Sequence, residues 1–66
     1  MRVTLDKQWS ERLVKLPESG MGYQRVDIRF RDKRTAKNVL VFNAAEAELP
    51  EELARLPIAD IVLRRE

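Results

Sequence analysis

Sixty-six residues form a single small domain, 1–66, and such a domain exposes so much of its surface that every core residue counts. The chain has no cysteine and no histidine, so disulfides, thiolate chemistry and the commonest zinc ligands are excluded, and the available reinforcement is a tight core or association with another chain. Net charge is +2, but residues 24–38 carry Arg25, Arg29, Arg31, Lys33, Arg34 and Lys37 against Asp27 and Asp32, a net +4, while residues 44–60 carry Arg55 against Glu46, Glu48, Glu51, Glu52 and Asp60, a net −4.

At the N-terminus two patterns compete. Leu5, Trp9, Leu13 and Leu16 recur at helical spacing, with Thr4 or Asp6 to cap the helix and Pro17 to end it, which predicts a helix over 5–15. Read by alternation, Val3 and Leu5 instead make one short strand and residues 13–16 another. The segment Pro17-Glu18-Ser19-Gly20-Met21-Gly22 holds both glycines and is a turn leading into a strand near Tyr23.

Residues 24–31 give the clearest signal. Val26, Ile28 and Phe30 alternate with Arg25, Asp27, Arg29 and Arg31, the period of a half-buried strand. Residues 36–43 are rich in β-branched and apolar side chains and form its partner, so 24–43 is a hairpin. The connection at 32–35 lacks the glycine that a tight hairpin prefers at a left-handed position, and Lys33 stands there instead. In 39–42 both faces are apolar, with Val39 and Val41 on one side and Leu40 and Phe42 on the other. A strand with one wet face does not need this, so a second layer or a second subunit is expected over Leu40 and Phe42.

Ala47 and Leu49 alternate with Glu46 and Glu48 in a possible short strand. Pro50, Glu51 and Glu52 suit the start of a helical turn over 50–56, and Pro57 stops it. Residues 58–64 are a further strand. The expected fold is α+β and β-rich: a curved antiparallel sheet of three to five strands built on the hairpin 24–43 and the strand 58–64, with an N-terminal helix or strand. By element order alone the alternative is a small barrel that resembles the SH3-like or Sm-like folds, a likeness that implies nothing about ligands. The expected core is Trp9, Leu13, Leu16, Tyr23, Val26, Ile28, Phe30, Val39, Val41, Leu49, Leu53, Ile58, Ile61 and Leu63.

Chemistry is sparse. Ser10 and Ser19 have no patterned base, and the pairs Glu46/Glu48 and Glu51/Glu52 read as solvated surface. Gly20-Met21-Gly22 has neither the spacing nor the lysine of a phosphate loop. No enzyme activity, cofactor or metal is expected. No signal-peptide core or membrane-length apolar run is present in the sequence, which points to a cytoplasmic protein. Two binding readings remain. The first is a protein-interaction or self-assembly module using Leu40, Phe42 and Met21, with a protein partner or a homo-oligomer. The second, less favoured, is a nucleic-acid face made of Arg25, Arg29, Arg31, Lys33, Arg34 and Lys37, weakened because no aromatic side chain is expected on that face.

Overall fold

A computed structural model describes residues 1–64. Its elements are β1 (Arg2–Thr4), α1 (Lys7–Val14), β2 (Tyr23–Phe30), β3 (Thr35–Phe42), β4 (Glu46–Glu48) and β5 (Ile58–Leu63). The strands form one open antiparallel sheet in the order β1-β4-β3-β2-β5. The N-terminal stretch therefore holds a short strand and then a helix, and the alternative strand over 13–16 does not form because Leu13 and Val14 belong to α1. The sheet does not close, so the barrel alternative is set aside. The α+β, β-rich sheet stands.

The alternation of β2 sets the two faces. Val26, Ile28 and Phe30 point to the side covered by α1, where Leu5, Leu13, Val39, Val41, Ala47, Leu49 and Ile61 complete the core. Leu13 is the one buried residue of the helix, and Trp9 and Leu16 pack partly against the same core. Asp6 occupies the N-cap position but makes no side-chain cap bond. The C-terminal end of α1 is held from below by Gln24. Its Nε2 donates to the carbonyls of Leu13 (2.9 Å), Leu16 (3.2 Å) and Pro17 (3.3 Å). The Leu13 carbonyl also accepts the Leu16 N–H at 3.0 Å, so the buried amide reinforces the turn that ends the helix and supplies a donor to Leu16 and Pro17 beyond it. Gln24 lies on the inward side of β2 together with Val26, and its Oε1 is buried without a partner.

Residues 50–56 make successive tight turns rather than a helix, with Leu53 N–H on the Pro50 carbonyl and Leu56 N–H on that of Leu53. Pro50 and Pro57 bracket too few residues for anything longer. Leu53, Ala54 and Leu56 still pack on the helix side of the sheet.

A bulge interrupts the hairpin. Val26 pairs with Val39, but Ile28 pairs with Ala36, so Lys37 and Asn38 together oppose Asp27. Asn38 takes a positive φ of 56°. Asp27 Oδ1 accepts from the Asn38 N–H at 2.9 Å and from Arg64 Nη1 at 3.0 Å. The extra residue shifts the alternation of β3, so that Ala36 and Val39 both face the core.

Candidate functional site

The face of the sheet away from α1 carries no layer of described chain. Register places its side chains in rows across the strands. Thr4, Glu46, Phe42 and Tyr23 form one row; Leu40 and Arg25 form the next; Asp27 and Val62 follow; Thr35, Arg29 and Asp60 lie beyond. The expected face residues are thus sorted by strand pairing rather than by proximity in sequence.

Leu40 and Phe42 do lie together on this face, as the alternation of β3 requires. They are half-buried, however, and not laid bare. The Arg2 guanidinium sits 4.3 Å from the centre of the Phe42 ring, a cation–π contact, and it also pairs with Glu46 at 3.8 Å. Long arginine stems cover apolar surface while their heads stay wet, so part of the expected second layer is supplied by side chains of the same sheet. Met21 is 99% exposed at the tip of the turn preceding Tyr23, at the same end of the sheet as the Tyr23–Phe42 pair. That turn has a definite cause. Gly22 adopts φ +81°, and a Cβ on Gly20 would meet the Tyr23 ring at 2.3 Å, so Gly20 gives the ring its seat.

Tyr23 corrects the expected core. It shares the parity of Arg25 and Asp27 and points outward, half-buried against Gly20. Two aromatic side chains, Tyr23 and Phe42, therefore share the face with Arg25 and Arg29, contrary to the expectation that none does.

The six basic residues are not one stripe. Arg25, Arg29 and Lys37 belong to the open face. A depression of about 380 Å³ there is lined by Asp27, Arg29, Thr35, Lys37, Asp60 and Val62. Arg31 lies past the end of β2 and turns to the helix side, where it lines a cavity of about 290 Å³ with Trp9, Leu49 and Leu56. The cause is the end of the strand: Arg31 N–H bonds to the Pro57 carbonyl at 3.0 Å and leaves the β2 alternation. Lys33 and Arg34 sit at the hairpin tip, and Arg34 Nε is tied to Asp32 at 2.6 Å.

Acids share the open face with the bases. Asp27, Glu46 and Glu48 project from it, and Asp60 reaches its rim. The backbone N–H of Asn38, then the Arg64 guanidinium, hold the Asp27 carboxyl below its ordinary value. Asp32 is lowered in the same way, first by the Arg34 N–H and then by its side chain. The ion pairs among described residues include the Met1 ammonium–Glu48, Arg2–Glu46, Lys7–Glu11, Arg12–Asp60, Arg34–Asp32 and Arg64–Asp27, and none of these joins the basic block of the sequence to the acidic one. Among the described residues, no group of three or more acidic side chains could hold a metal ion.

Fold and face together define a small α+β domain with one covered and one open sheet face. Comparison with protein families, with curated proteins and with solved structures finds no match.

Proposed function

We propose that the chain is a non-catalytic protein-interaction module and that its partner docks on the open sheet face. The observation that carries this reading is the composition of that face. Tyr23, Leu40 and Phe42 form an apolar group, and charges of both signs surround it: Arg25, Arg29 and Lys37 on one side, Glu46 and Glu48 on the other. An apolar centre with a mixed polar rim is the make-up of a protein interface. Charges of both signs favour one complementary partner and repel others.

The test uses the full chain as bait, with Leu40→Asp as the interface variant and Lys15→Glu, on the helix side, as the control. A partner held by the wild type and by Lys15→Glu, but released by Leu40→Asp at unchanged circular dichroism, supports the proposal. The same partners on all three baits refute it.

A second reading is favoured by one observation, the presence of Tyr23 and Phe42 in the row beside Arg25, on the same face as Arg29. Stacking aromatics interleaved with cations suit single-stranded nucleic acid. Titration with short single-stranded DNA and RNA decides it. Binding through phosphates perturbs the resonances of Arg25, Arg29 and Lys37 and weakens steeply as salt rises. Resonances that stay still at low salt end this reading.

A further inference from the structure

The sheet has two edges, and they differ. β1 is three residues long, whereas β5 runs for six, Ile58–Leu63. Arg64 N–H donates to the Arg25 carbonyl at 2.8 Å, so in the β2–β5 ladder residues 60, 62 and 64 turn their backbone groups inward. Ile61 and Leu63 consequently turn theirs outward. The outward N–H of Ile61 is met by the carboxylate of its own neighbour, with Asp60 Oδ1 at 2.9 Å. Val62 is 54% exposed, on the open face at the edge of the sheet. Beside it runs a groove of about 460 Å³ lined by Arg12, Leu16, Pro17, Ile61, Val62 and Leu63.

From this edge we infer that β5 pairs antiparallel with β5 of a second copy, about a two-fold axis at Val62. The inference rests on the interaction-module reading but uses a different surface, the edge of the sheet and not its open face.

Three features of the segment agree on this register. The outward backbone groups of Ile61 meet those of Leu63 in the second copy, and the reverse, so each exchanges both bonds. Val62 faces Val62 of the second copy in a position without backbone bonds, where side chains approach closest and β-branched pairs pack best. Asp60, whose Oδ1 also holds Arg12 at 2.8 Å, then lies opposite Arg64 of the second copy, whose Nη1 also holds Asp27 at 3.0 Å, so by symmetry opposite charges face each other at both ends of the interface. One copy satisfies Ile61 N–H with the Asp60 carboxylate; two copies satisfy it with a carbonyl. A shift of the register by two residues opposes Val62 to a charged side chain and loses both ion pairs. Self-complementarity about one residue is what an isologous interface requires.

The test is sedimentation equilibrium of the full chain from micromolar to millimolar concentration. A monomer–dimer equilibrium is expected in the wild type. Val62→Lys places two like charges at the axis and should leave only monomer, with unchanged circular dichroism. Asp60→Arg and Arg64→Asp should each raise the dissociation constant by about tenfold or more, and the double exchange should recover most of the loss. Leu40→Asp, on the open face, should dimerise like the wild type. A wild type that stays monomeric overturns the inference and leaves the open-face proposal standing. A dimer that survives Val62→Lys overturns it, and so does one lost in Leu40→Asp alone.

Discussion

Lys33→Gly tests the hairpin and with it the placement of every residue on the open face. Lys33 N–H closes a turn on the Phe30 carbonyl at 3.0 Å, and Phe30 N–H returns to the Arg34 carbonyl at 2.9 Å. This is a three-residue hairpin loop whose last residue must be left-handed, and Lys33 has φ 78°. A residue with a Cβ in this region costs about 1–2 kcal/mol. Glycine removes that strain but gives the unfolded chain more freedom, which returns about 0.4–1 kcal/mol. The net gain is about 0.5–1 kcal/mol, the difference between those two terms. Unfolding entropy of roughly 2.1 cal/mol/K per residue gives about 140 cal/mol/K for this chain, so the midpoint should rise by about 4–7 °C. The assay is thermal unfolding followed by circular dichroism, with Lys33→Ala as the paired control. Alanine removes the charge beside Arg31 and Arg34 but keeps the Cβ, so it should show little of the rise. A fall in the midpoint of Lys33→Gly, or an equal rise in Lys33→Ala, would refute the reasoning.

Further outcomes follow from the same geometry. Asn43 and Ala44 both have positive φ, 53° and 56°, in the turn closed by Ala45 N–H on the Phe42 carbonyl. Ala44→Gly should stabilise by about 0.5 kcal/mol, less than at Lys33 because a half-buried methyl is also lost; urea midpoints measure it. Gln24→Leu should destabilise by about 1–3 kcal/mol in the same assay, since the Leu16 and Pro17 carbonyls lose their side-chain donor while Leu13 keeps the Leu16 N–H. Asp27 is lowered from 3.8 in the folded chain, so the unfolded chain binds its proton more readily. Its contribution is complete above that value and fades as pH falls through the folded value. Thermal midpoints of the wild type and Asp27→Asn should therefore differ near neutral pH and converge on acidification below 3.8. Parallel pH curves for the two proteins would count against the Asp27 contacts.

Much of the fold was legible where period two ran without interruption. Val26, Ile28 and Phe30 against Arg25, Asp27 and Arg29 placed β2 to within a residue, and Lys33 was marked as the strained hairpin position by its turn chemistry alone. Tyr23 was misjudged although the same alternation reaches it. Ring size suggested inside for Tyr23, and strand parity overrode it, the same parity carrying Gln24 into the core. The reason is physical: the Leu16 and Pro17 carbonyls just past α1 take a donor from within, and Gly20 offers a seat for a ring without. The separation of Arg31 from Arg25 and Arg29 was not legible, because it depends on where β2 stops. That point is set by a bond to Pro57, distant in sequence.

The bulge opposite Asp27 explains why the open face holds the residues it does. If the pairing that joins Tyr23 to Phe42 and Val26 to Val39 continued without a break, Lys37 would share the inward parity of Val39 and Val41, and Ala36 would point outward. One extra residue in β3 reverses that assignment. Ala36 then fills the core beside Ile28, and Lys37 joins Arg29 on the outer side. A buried, unpaired lysine is far more costly than the strain at Asn38, so the bulge is the cheaper solution for this sequence. Asp27 secures it by holding the Asn38 N–H with one oxygen, and the same oxygen holds Arg64 beside the β5 edge. A single carboxylate thus links the hairpin, the basic part of the open face and the edge strand, and the Asp27→Asn variant should loosen all three together.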